Sequence, residues 1–235
     1  MALRFEELSK TIDHTLLDPE ATADEVEATC ARAHELHVAS VCVLPAHVPA
    51  AAEELRGSDV KVCAVVGLPS GRARSRTKIA QAERALAEGA GELEFVVDVG
   101  ALRAGDARRV HEELVSFARA VRMTSTSGGR GTVLLKAILD TSQLDHKLTK
   151  LAAKIVELAG LDFAQTSSGL RPDAATVRDV ELLRECLPEA VGVKACGGIE
   201  TLADVEAMVN AGAGRIGSAA AVEILASPAG LVPTS

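Results

Sequence analysis

The sequence has no tryptophan and no tyrosine, and 4 phenylalanines make up its entire 2% aromatic share. Its 48% hydrophobic content must therefore be built from Ala, Val, Leu and Ile, small and branched side chains suited to close packing of helices on a sheet. Positive charge is also scarce: 25 Lys and Arg against 33 Asp and Glu leave a formal net charge of −8. That sign argues against a dedicated nucleic-acid or anionic-membrane binder, which displays a basic field. The exception is the run Arg72, Arg74, Arg76, Lys78, which reads as a solvated loop and helix start or, alternatively, as a lure for an anionic substrate. The 5 cysteines are odd in number and include no C-x-x-C pair, so neither a zinc knuckle nor a disulfide framework is indicated and free thiols in a reducing compartment are expected. No apolar run reaches transmembrane length, and the charged start through Arg4, Glu6 and Glu7 lacks the apolar core of a signal peptide. A cytoplasmic protein is expected. His34 and His37 share an i, i+3 spacing but have no H-E-x-x-H context or third ligand, so no metal is expected, and no other cofactor is indicated.

What is present is alternation. Short β-branched runs at 11–16, 38–44, 60–67, 93–99, 133–139, 162–166, 190–195 and 215–217 are separated by helical patterns at 21–36, 76–88, 107–121, 144–158, 174–187 and 202–211. This is the signature of repeated βα units. No glycine fingerprint follows the first two strands, which weakens an open dinucleotide-binding sheet. A single (β/α)₈ barrel, α/β in class, over residues 1–226 is the better reading, and its length suits one barrel. The stretch from Thr124 to Gly131, rich in Ser, Thr and Gly, reads as a loop, and residues 227–235 as a flexible tail.

Barrel strands are buried on both faces, so a charge in mid-strand must be paired or point into a site. Lys136 and Lys194 each lie near the C-terminal end of a strand, the end at which such barrels carry their active sites. A desolvated lysine there would have a lowered pKa and could act as nucleophile or acid. Glu94 and Asp140 are the candidate counter-charges. The bland alternative is a set of structural ion pairs, with Asp140 a loop or cap residue. Asp13 and Thr15 share one strand face and could reach substrate hydroxyls, or could cap the following turn. Gly197-Gly198 and Gly217-Ser218 end the last two strands where barrels often cradle phosphate on backbone N–H groups, or else make tight turns. Cys42 and Cys63 read most simply as buried small hydrophobes.

Together these segments resemble deoxyribose-phosphate aldolases over nearly the whole chain. The matching stretches begin at Ile12-Asp13-His14-Thr15 and Ser40-Val41-Cys42-Val43, and continue through 60–69, 92–105 and 134–141. They end with 162–169, 191–199 and 215–218. The resemblance implies a (β/α)₈ class I aldolase that joins acetaldehyde to glyceraldehyde 3-phosphate through a lysine Schiff base. The family pattern F-V-K-T-S-T-G reads here Phe163-Ala164-Gln165-Thr166-Ser167-Ser168-Gly169, so Gln165 stands at the nucleophile position. An amide nitrogen is not basic and cannot form an iminium.

The second family lysine matches Lys194, the relay aspartate matches Glu94, and the glutamate after the fifth strand matches Asp140. Lys136 agrees with the pattern. The phosphate motifs S-G-G-I-R and G-T-S read Cys196-Gly197-Gly198-Ile199-Glu200 and Gly217-Ser218-Ala219, which puts a carboxylate where a cation is usual and removes a hydroxyl donor. The expected catalytic set is thus Lys194, Glu94, Gln165 and Lys136. The expected substrate-binding set is Asp13, Thr15, Cys42, Asp140, Ser168, Gly169, Gly197, Gly198, Gly217 and Ser218.

Three functions are compatible with this pattern. One is a divergent enzyme that handles a small carbonyl or sugar-like substrate without a Schiff base. Another is a deoxyribose-phosphate aldolase with residual or Lys194-based activity. The last is a catalytically silent relative that binds a metabolite or partner. A homodimer is compatible with each.

Overall fold

The β-branched runs become strands in the computed structural model, which describes residues 4–127, 131–170 and 175–226. The strands are β1 Ile12–Leu16, β2 Ser40–Val43, β3 Lys61–Val66, β4 Glu92–Val96, β5 Leu134–Ile138, β6 Phe163–Gln165, β7 Gly192–Cys196 and β8 Arg215–Ser218. Each pairs in parallel with its sequence neighbours, and β8 returns to β1 to close the barrel. This is the (β/α)₈ architecture that the alternation implied.

Side chains alternate along each strand. One set, including Val41, Val62, Ala64, Leu93, Phe95, Leu135, Ala137, Val193 and Ile216, packs outward against the helices in the main core. The other set faces the lumen, where Leu17, Cys42, Cys63, Val65, Val96 and Ile138 form a separate apolar cluster. Lumen-facing charges sit beside that cluster rather than in water. Gly192 makes room for the Phe163 ring, because a Cβ there would lie 2.3 Å from its Cε1.

The outer ring is led by α2 Ala23–Glu35, α4 Ser75–Ala87, α6 Ala107–Ser127, α7 His146–Ala159, α8 Val177–Cys186 and α9 Leu202–Asn210. Thr22 with Glu25, Thr176 with Asp179 and Thr201 with Asp204 form reciprocal capping boxes that start α2, α8 and α9, which satisfies otherwise orphaned N–H groups. Four short helices were not anticipated: α1 Phe5–Ser9, α3 Val48–Glu54, α5 Val99–Arg103 and α10 Ala221–Leu225. Among the described residues no helix is long and apolar enough to cross a membrane.

Two expectations are corrected. Residues 124–127, read as loop, extend α6. The hydroxyls of residues 124–126 bond back along the helix, with Thr124 donating to Ala120 O at 3.0 Å, Ser125 to Val121 O at 2.8 Å and Thr126 to Arg122 O at 2.8 Å. The polar side chains thus find partners inside the helix that they were expected to disrupt. Lys78 is not part of a solvated run. It is fully buried, donating to Gly71 O at 2.7 Å, Val96 O at 3.2 Å and Glu113 at 2.9 Å, with its Nζ 4.1 Å from the centre of the Phe95 ring. Residues 128–130 of the expected loop, Ala174 at the expected start of α8 and the 227–235 tail lie outside the described residues.

Candidate active site

Alternation places Asp13 on β1, Glu92 and Glu94 on β4, Lys136 on β5, Gln165 on β6, Lys194 on β7 and Arg215 on β8 with side chains in the lumen, all of them buried. The register brings Glu94 opposite Lys136, Gln165 opposite Lys194 and Lys194 opposite Arg215. Charges that are far apart in sequence therefore meet. Lys194 Nζ lies 2.7 Å from Asp13 Oδ2 and bonds Glu94 Oε1. Lys136 Nζ lies 2.8 Å from Asp13, 2.7 Å from Glu92 and 3.2 Å from Glu94. Arg215 bonds Asp13 and stands 2.9 Å from Glu92.

These contacts set the protonation states. Burial pulls the Lys194 ammonium down, but Asp13 and Glu94 outweigh it and hold the group above the ordinary lysine value. Lys136 is raised for the same reason, by Asp13, Glu92 and Glu94 together with Cys63. The expectation of a lowered lysine pKa is thereby reversed, because each ammonium has at least two carboxylates in contact and opposite charge favours the charged form. Burial pushes the Glu94 carboxyl up, yet Lys194 and Lys136 prevail and hold it at about 2. Asp13 lies well below the ordinary carboxylate value under the same two lysines and Arg215, again against the cost of burial.

Gln165 is the neutral member of this layer. Its Nε2 donates to Ser167 O at 2.7 Å, while its Oε1 is buried and has no hydrogen-bond partner among the described residues. Cys42 and Cys63 are register partners in the apolar wall, and Cys63 Sγ also donates to Glu94 Oε1 at 3.4 Å. Their sulfurs and a Glu94 oxygen lie within 4.8 Å of one another. Burial and the neighbouring cysteine push the Cys63 thiol up, and Lys136 and Lys194 already hold the carboxylate, so the trio is a poor fit for a cation.

Over the lumen, at the C-terminal ends of β6 to β8 and β1, opens a cavity of about 480 Å³. Thr15, Ser168, Gly169, Gly197, Gly198, Gly217 and Ser218 line it. Gly169, Gly197 and Gly198 take positive φ, which glycine alone adopts freely. A Cβ on Gly217 would meet Cys196 Sγ at 2.7 Å and Lys194 Cε at 3.0 Å, so this glycine lets the backbone pass close to the lysine. Asp18, Glu200 and Glu223 also line the cavity, and no lysine or arginine does among the described residues.

Asp13 and Cys42, like the expected catalytic residues Glu94, Lys136, Gln165 and Lys194, lie buried beneath the cavity rather than on its wall. Asp140 is also off the wall: it takes a left-handed conformation after β5, and its Oδ1 accepts from Ser168 N at 3.2 Å, so it shapes the loop that follows β6. Glu92 and Arg215 went unnoticed in the sequence. The Glu-x-Glu spacing of Glu92 and Glu94 on one strand was the available signal for the first; no local signal marks the second.

Known proteins share this fold. Residues 8–227 match the family model described as DeoC/LacD family aldolase. The chain is 41% identical over 218 residues to the deoxyribose-phosphate aldolase of Caldanaerobacter subterraneus subsp. tengcongensis, covering 93% of this chain and 92% of the relative. It is 41% identical over 219 residues to deoxyribose-phosphate aldolase 1 of Bacillus licheniformis, covering 93% and 95%. Among solved structures, the tetrameric deoxyribose phosphate aldolase from Aeropyrum pernix superposes with a TM-score of 0.86 at 29% identity, covering 97% of this chain and 93% of that one. The aldolase QR15 gives 0.86 at 32% identity, covering 93% and 94%. With its closed barrel, its lumen-facing lysines and these relatives along almost its entire length, the chain belongs to the DeoC/LacD aldolase family.

Proposed function

We propose that this chain acts on a small carbonyl or sugar-like substrate bound at the barrel mouth, and that it does so without a Schiff base at position 165. The observation that carries the reading is Gln165 beside a Lys194 held protonated between Asp13 and Glu94. A protonated amine is not a nucleophile, and an amide is not one either. Lys194 instead serves as a charged donor to the substrate oxygen, where negative charge develops when a proton leaves the neighbouring carbon. Glu94 is a weak base while both lysines hold it, and it gains basicity as the substrate oxygen draws Lys194 away. Gln165 orients the substrate by hydrogen bonding. The acidic lining from Asp18, Glu200 and Glu223 disfavours a phosphate dianion and favours an unphosphorylated ligand.

A second reading is deoxyribose-phosphate aldolase activity with Lys194 as a substitute nucleophile. It is supported by the names of relatives that share 41% of their residues with this chain. Borohydride reduction in the presence of acetaldehyde or deoxyribose 5-phosphate separates the two. Under the first reading the protein mass stays unchanged; a stoichiometric adduct on Lys194, with turnover of deoxyribose 5-phosphate, would establish the second.

A further inference from the structure

Arg215 plays no part in the chemistry above, yet it makes two hydrogen bonds to Asp13. Its guanidinium reaches a single carboxylate oxygen, Asp13 Oδ1, through Nε at 3.0 Å and also through Nη2. Ser40 Oγ donates to the same oxygen at 2.6 Å. The other oxygen, Oδ2, is left to Lys136 at 2.8 Å and Lys194 at 2.7 Å. The two oxygens thus have separate duties. A carboxylate turns about its Cβ–Cγ bond, and a clamp on one oxygen fixes the direction of the other. Arg215 also stands 2.9 Å from Glu92 Oε2, which in turn lies 2.7 Å from Lys136, so one planar fork braces two of the carboxylates that hold the lysines.

We propose that Arg215 is a positioning residue: it holds Asp13 so that Oδ2 faces Lys136 and Lys194, and thereby keeps the Lys194 ammonium in place. The inference rests on the reading of Lys194 as a charged donor. The groups that face Arg215 and its partners are Asp13 on β1, Ser40 on β2, Cys63 on β3, Glu92 and Glu94 on β4, Lys136 on β5 and Lys194 on β7; β6 contributes the uncharged Gln165. Without the guanidinium, two ammonium groups would face three buried carboxylates. Two cations must then be shared among three buried carboxyls, so burial should raise one of them into the neutral range, to about pH 6 to 8.

The test is carboxyl ¹³C NMR of Arg215→Met across pH 4 to 9, with ¹⁵N NMR of the Lys194 ammonium. The expected result is one Asp or Glu titration step in the neutral range that the parent protein lacks, together with a shifted Lys194 resonance. Arg215→Lys restores the charge but not the fork, so it should abolish the titration step and still displace the Lys194 resonance. Should Arg215→Met fail to fold, the lysine variant decides alone. A Lys194 resonance identical to that of the parent in Arg215→Lys, or a Met variant that is merely less heat-stable with every carboxyl still ionised, would overturn the proposal. Both readouts are independent of turnover, so failure of the functional reading, seen as a borohydride adduct on Lys194 of the parent protein, remains distinguishable.

Discussion

Replacing Gln165 by lysine places an amine one strand away from its register partner Lys194. Lys136, Lys194 and Arg215 there already face Asp13, Glu92 and Glu94, so the charges balance and a further ammonium finds no unclaimed carboxylate. Adjacent strands are separated by about 4.8 Å. At that distance and an effective dielectric of about 20, two ammonium groups repel by roughly 3 kcal/mol, or about 2 pKa units. Burial adds to the depression. From an ordinary value of about 10.4, the new amine should titrate near 8 or below. Lys194 moves the other way in the same lumen because Asp13 and Glu94 were already committed to it. A neutral amine at position 165 is a nucleophile, so acetaldehyde with borohydride should leave an ethylated lysine there, at a yield that rises with pH through the amine's titration. Intact-mass and peptide mass spectrometry read the adduct, and NMR of the labelled lysine reads the pKa. A folded Gln165→Lys protein that neither traps acetaldehyde nor shows a lysine titrating below its ordinary value would refute the residue-by-residue equivalence on which this reasoning stands.

Acid should unfold the protein through the same cluster. The Asp13 and Glu94 carboxyls lie below their ordinary values, so the stability they lend is complete above about pH 5 and lost as pH falls below about 4, which a melting-temperature profile will show. Lys136 and Lys194 lie above theirs, so their share is complete below about pH 10 and is lost as pH rises beyond it. Lys78→Met should cost about 3–5 kcal/mol by denaturant titration, because it strands the largely buried Glu113 and releases Gly71 O and Val96 O; a loss below about 1 kcal/mol would show that the ion pair is dispensable. Glu200→Arg puts a cation beside Gly197 and Gly198 in the cavity and should tighten inorganic phosphate binding at least tenfold by calorimetry. Micromolar phosphate binding by the unaltered protein would show that the glycine N–H groups suffice alone.

The strands were legible because runs such as Val60 to Val66 are β-branched and bounded by turn residues. Their predicted ends overshoot at residues such as Val38, which is buried but bonds Ala33 O at the end of α2, and Ala39 and Val97, which hydrogen-bond to neighbouring strands just outside the strand limits. The lumen charges Lys136, Lys194, Glu94 and Asp13 were legible as mid-strand charges. Their partnership with Arg215 and Glu92 was not, since it depends on barrel stagger, which no local spacing encodes. Lys78 shows the same limit. Nothing nearby in sequence separates it from Arg72, Arg74 and Arg76, and its burial depends on the turn from Gly67 to Gly71 folding over it. There a Cβ on Gly67 would sit 2.6 Å from Lys78 Cδ.

Position 165 is where local rules and the fold disagree. A buried acceptor without a partner costs about 1–3 kcal/mol, and Gln165 Oε1 is such an atom among the described residues. Lys194, its register partner, could in principle donate to it, but Asp13 and Glu94 hold that ammonium instead. A methionine of similar length would fill the same space without the penalty. Consistency elsewhere makes the exception informative: caps, alternation and charge pairing all agree with the barrel, and departures from such agreement concentrate at functional sites. Under the function proposed above, the unsatisfied oxygen would accept from a donor on the ligand, an O–H or N–H close to the carbonyl that Lys194 would polarise. Saturation-transfer NMR can test this directly, with hydroxylated and deoxygenated aldehydes compared on Gln165 and on Gln165→Met; the hydroxyl should improve binding only when Gln165 is present, and an equal gain on both proteins would assign the orphan oxygen no role in recognition.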